Sequence, residues 1–170
     1  HPIKLGLSPL LIDALQRRLL TAIALNGAGI VHDVEVALVG RTSEDVPARL
    51  GSGDFGSARE TAEVIHEAAI GAYRRGGCGL GLAVGRLLLD RAVPFAHCSL
   101  LATAAALDIP VTVHVALGTD TVHIHPAMDG AAIGALSHYD FRLFCRLVAS
   151  LRQGVYINLG SAVILPEVFL

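Results

Sequence analysis

Charge is scarce in this chain: 16% of residues are Asp, Glu, Lys or Arg, against 53% that are apolar. A surface so poor in charge points to apolar area buried between subunits, and a homo-oligomer is expected. The formal net charge is −2, the arginines are scattered and aromatic residues make up 5%, so no basic stripe or basic–aromatic alternation exists to hold nucleic acid. Long hydrophobic runs are missing as well. The longest, such as residues 100–107, stop far short of the roughly 20 residues a membrane-spanning helix requires. Cysteine is confined to Cys78, Cys98 and Cys145, with no CxxC pair. That unpatterned, odd set fits a reducing, cytoplasmic compartment and buried thiols. No stretch reads as a signal peptide or lipidation motif, and no internal repeat is evident.

What is there suffices for one domain with a real core, residues 1–170. The chain opens on His and ends at Leu170 inside an apolar pattern, which reads as part of a longer protein. Ser8-Pro9 reads as a helix start, with Leu11, Ile12, Leu15 and Leu19 as the apolar stripe. Three short apolar runs follow as strands, at 20–25, 109–118 and 154–160. Between them lie helical patterns at 30–39, 57–75, 82–91, 99–107 and 138–151, and a last helix opens at Gly160-Ser161-Ala162. The polar stretch 41–56 reads as a long loop. Strands alternating with helices predict an α/β fold, a Rossmann-like parallel sheet with helices on both faces.

Each strand run ends in a small-residue turn: Asn26-Gly27-Ala28-Gly29, then Leu117-Gly118-Thr119-Asp120, then Leu159-Gly160-Ser161-Ala162. In parallel α/β sheets, ligands bind outside the carboxyl ends of strands. Gly27 and Gly29 let a backbone approach a ligand, and the next helix offers free N–H groups to an anion. The third glycine of a dinucleotide fingerprint is missing, so phosphate contact and a bare strand-to-helix turn both remain open. His32, Asp33 and Glu35 fall just after this turn. His32 suits proton transfer near neutral pH, while Asp33 and Glu35 read equally as acids favoured by the helix dipole. Asp120 is placed for a ligand hydroxyl or ammonium. His123 and His125, two apart, would point the same way on a strand, but no further ligand signature accompanies them and no metal is expected. His114 reads as a core histidine. Asp54, Arg59 and Glu60 flank a junction that reads as a lid or a capped helix start.

The segments "LTAIALNGAGIVHDVEVALVG", "IPVTVHVALGTD" and "GVYINLGSAV" occur in the order of three strand-end segments of the deoxyhypusine synthase family, which the chain resembles over most of its length. The resemblance implies a Rossmann-like NAD-binding domain, a homotetramer, and sites shared between subunits. It would put NAD near Asn26, Gly27, Ala28 and Gly29, near Asp120, and near Gly160, Ser161 and Ala162. Two departures point away from spermidine as substrate: Lys4 is the only lysine, and Val31-His32 stands where the family keeps acids. The expectation is NAD-dependent oxidation of a small amine or amino acid, with imine transfer or deamination following. His32 would then serve as acid or base, with Asp33 and Asp120 as substrate or ribose contacts. The phrase "HD.E.AL.G" also resembles an NAD-dependent ornithine cyclodeaminase type. The competing class is a non-catalytic nucleotide-binding or assembly protein.

Overall fold

The computed structural model of the protein describes residues 2–42 and 59–170. Asp54 and most of the loop read at 41–56 lie outside them. The described elements are α1 (Ser8–Gln16), β1 (Ile23–Asn26), α2 (Gly27–Val39), α3 (Arg59–Arg75), α4 (Leu80–Asp90), α5 (Leu100–Ala106), β2 (Val111–His114), α6 (Gly130–Ala149) and α7 (Ile164–Phe169). Short 3-10 turns at Ala96–Cys98 and Thr121–Ile124 complete them. The chain is thus mostly helical around a small parallel sheet, an α/β arrangement in the broad sense. No described helix is long and apolar enough to cross a membrane.

Helix starts follow their capping chemistry. Asn26 leaves β1 in extended backbone (φ −94°, ψ 179°) and its side chain accepts the Gly29 N–H, so α2 begins at Gly27, earlier than the periodicity predicts. It stops where Gly40 takes the left-handed conformation at φ +75°. Ser99 caps α5, and Asp129 caps α6 through the N–H groups of Ala131 and Ala132. That second cap starts α6 eight residues before the predicted 138. Ser8 does not cap α1; it is the first helical residue, buried with its hydroxyl unpartnered among the described residues. Leu19 falls outside the stripe because α1 ends at Gln16, and it is 72% exposed.

β1 and β2 pair in parallel, Ile23 opposite Val111 through Asn26 opposite His114. Leu15, Ile30, Ile65, Leu80, Leu100 and Ile133 fill the core beside them. The third predicted strand does not form. Residues 155–160 share cavity walls with β1, yet no backbone hydrogen bond joins the two among the described residues. The segment is anchored by an aromatic contact instead: Tyr156 stacks on Phe169 at 4.5 Å and meets Phe144 edge-on at 6.0 Å. Val155 and Ile157 stay 80% and 69% exposed, so a strand-like apolar pattern is present without a backbone partner.

Candidate functional site

β1 and β2 end side by side, which brings their turns into contact. An ideal Cβ on Gly27 would lie 2.0 Å from a carboxylate oxygen of Asp120, so any larger residue there must push that carboxylate aside. Asp120 is held by the Ala116 N–H at 3.1 Å. Burial raises its pKa, opposed by that N–H and by His123. The Gly160-Ser161 turn approaches from the other side of β1. Ser161 is 7% exposed and its hydroxyl oxygen accepts the Leu165 N–H at 3.2 Å. Asn26, Gly29, Gly160 and Ser161 together line one end of a cavity of about 230 Å³, whose other walls are mainly aliphatic. Of the expected cofactor residues, Asn26, Gly27, Gly29, Asp120, Gly160 and Ser161 thus cluster in two adjoining sets, while Ala28 and Ala162 are exposed.

The start of α2 changes the meaning of its polar residues. His32 and Asp33 lie beyond the first turn, so the helix-dipole reading of Asp33 does not apply. Asp33 has no exposed surface, and its carboxylate receives the Ser99 hydroxyl at 2.5 Å and the N–H groups of Leu100 and Leu101 at 2.8 and 3.1 Å. It therefore holds the start of α5. Burial pushes its carboxyl up to about 6, although each of these three donors favours the charged form. His32 donates from Nδ1 to Glu35 Oε2 at 2.9 Å, with the Glu35 side chain 4% exposed and the His32 ring 19%. Neither His32 nor Asp33 lines the cavity.

After β2, His123 sits in a 3-10 turn and His125 caps its end, neither on a strand, so the side-by-side geometry read for them is not realised. His123 Nδ1 accepts the Gly118 N–H and His125 Nδ1 the Ala127 N–H. Among the described residues no group of three or more His, Cys, Asp or Glu is placed to hold a metal. His114 is a core histidine, as read: Nε2 meets Thr112 Oγ1 at 3.0 Å, the ring packs edge-on to Phe144, and burial lowers its pKa to about 4. The expectation of buried thiols fails at Cys145, which is exposed; Cys78 and Cys98 are partly buried.

Sequence reasoning missed Asp140. It is fully buried on α6, and one oxygen receives the N–H groups of Gly81 at 3.0 Å and Val113 at 2.9 Å. Burial pushes it up to about 7 against the N–H groups of Gly81, Val113 and Leu80. Gly79 makes room for it, since a Cβ there would lie 1.7 Å from the carboxylate. The available signal was an acid on an apolar helix together with the glycines of "GGCGLG".

No protein-family description, curated protein or solved structure matches the chain.

Proposed function

We propose that the chain is a deoxyhypusine synthase-like NAD-binding domain with Rossmann-like winding, acting in NAD-dependent oxidation of an amine or amino acid with imine transfer or deamination following. The observation that carries the reading is the meeting of Gly27 with Asp120 beside the cavity shared by Asn26, Gly29, Gly160 and Ser161. Ligands of parallel α/β sheets bind at this place. The fit to NAD is partial. The polar end of the cavity suits a ring or ribose, and Asp120 suits a ribose hydroxyl. A pyrophosphate on the start of α2 suits less well, because Asn26 already takes the Gly29 N–H and the Asp120 carboxylate stands over Gly27. When bound, NAD would supply a hydride acceptor. His32, held by Glu35, is the chain's own group for proton transfer, and the reading includes a cytoplasmic homotetramer. The alternative is an ornithine cyclodeaminase-type enzyme, with His32 as proton carrier; the amine-anchor role expected of Asp33 there is disfavoured by its bonds to the start of α5.

A non-catalytic nucleotide-binding or assembly protein is the second reading. It is favoured by Asp33, whose carboxylate is taken up by α5, and by a cavity with no charged residue among the described ones that line it. Calorimetric titration with NAD tests both: absence of binding sinks every NAD-dependent version. If NAD binds, transient NADH absorbance with spermidine, putrescine or ornithine supports the enzyme. A His32→Ala variant with undiminished turnover would remove the histidine from the chemistry.

A further inference from the structure

The cavity beside β1 has a chemical signature more specific than its position. Ile23 donates its N–H to Pro110 O in the ladder, so the N–H and C=O of Ala24 point to the opposite edge. Ala24 lines the cavity and no β2 residue does, so that free edge borders it. Two side-chain donors stand at its polar end. Asn26 uses Oδ1 for the Gly29 N–H, which leaves its amide NH₂ unengaged among the described residues. Ser161 accepts from Leu165, and its own hydroxyl hydrogen is likewise unengaged there. Leu11, Leu20, Ile157, Leu159 and Leu165 supply apolar walls. Among the described residues that line it none carries a charge, and Asp120 stands over Gly27, the residue after the lining Asn26.

An ammonium entering this space would lose hydration without a carboxylate on the wall to compensate. A carboxylate or phosphate would meet donors but no cation among the described lining residues. An uncharged ligand with an apolar body and an amide-like edge matches every lining group. From this match we infer that the cavity is a binding site for a small, uncharged, carboxamide- or heterocycle-bearing molecule, and that it rejects charged ligands of the same size. The inference deepens the proposed function by giving the ligand chemistry of the same site, and it implies that any charged part of a larger ligand stays outside.

Benzamide, benzoate and benzylammonium form a series of nearly equal size and differing charge. Binding to the full chain is followed by ligand-observed NMR. Benzamide is expected to bind with an affinity on the order of millimolar, as suits so few atoms. Benzoate and benzylammonium should bind at least about tenfold more weakly. Leu25→Trp, which enlarges a lining side chain beside Gly29, should reduce benzamide binding at least about tenfold. If that variant does not fold, Ser161→Ala replaces it, with a loss of about threefold or more expected from the missing donor. Equal or tighter binding of either ion overturns the inference, as does no benzamide binding or no effect of the variant that folds. Calorimetry with NAD on the same proteins separates the two proposals. NAD binding that ignores the cavity variant would leave the NAD reading standing alone. Benzamide binding without NAD binding would leave only the cavity.

Discussion

The two edges of the small sheet are finished in opposite ways. The outer edge of β2 is closed by side chains from α6: Asp140 takes the Val113 N–H, while Ser137 Oγ donates to Val113 O and receives the Val115 N–H, both at 3.3 Å. The outer edge of β1 faces a cavity and residues of the 155–161 segment, which make no backbone hydrogen bond to it among the described residues. Closing a strand edge with carboxylate and hydroxyl groups satisfies the backbone without another strand. An edge left open beside an apolar space keeps its hydrogen-bonding groups available for a ligand. The closed edge is the framework of this fold, and the open one is where binding is sought.

Breaking the closed edge should have the largest effect. Asp140→Ala leaves the buried N–H groups of Gly81 and Val113 without an acceptor, and a loss of about 3 kcal/mol is expected in chemical denaturation. In the same variant the Val113 amide should exchange with deuterium nearly as fast as the Ala24 amide, whereas in the native chain it should be far slower. If the two amides exchange alike in the native protein, the contrast between the edges is false.

Acidity offers a second test. Asp140 and Asp33 bind protons more tightly folded than unfolded, with folded values of about 7 and 6 against 3.8. Their contribution is present below pH 4 and is lost as pH rises through those folded values. His114, lowered to about 4, and His66, also lowered by burial, act with the opposite sign, adding stability as pH rises toward 6.5. Asp140→Asn should therefore show a steeper rise in stability between pH 4 and 6.5 than the native chain. An unchanged profile would remove Asp140 from the balance.

Smaller effects sharpen the comparison. Gly27→Ala pushes Asp120 aside at a partly exposed turn and should cost about 1 kcal/mol in thermal unfolding, less than Gly79→Ala against the fully buried Asp140. Ser137→Ala should cost about 0.5–1 kcal/mol, since its two bonds are long and half-buried.

Much of the framework was legible in local chemistry. Helix ends at Gly40 and Ser99 followed from residue type, and the turn after β1 was readable from its asparagine and glycines. The apolar runs located both strands, though each formed over four residues only. What failed was long-range. Alternation at Val155, Ile157 and Leu159 describes a strand's pattern but cannot supply its partner. Asp33 looked like chemistry because the N–H groups it serves lie 67 and 68 positions away. Asp140 was invisible for the same reason, since its donors come from α4 and β2. Of the candidate site, the convergence of small-residue turns was readable, whereas the uncharged character of the described cavity lining was not.

The seam between α2 and α5 has a consequence for substitution. Leu100 N–H addresses one oxygen of Asp33, while Leu101 N–H and the Ser99 hydroxyl address the other. An asparagine has one acceptor oxygen, so in either orientation its NH₂ would face an N–H donor in a space without water access. The customary charge-neutral replacement of an aspartate is thus not neutral in shape or polarity at position 33. Asp33→Asn should disrupt folding before it reports on any reaction, and an inactive protein carrying it would say nothing about proton transfer.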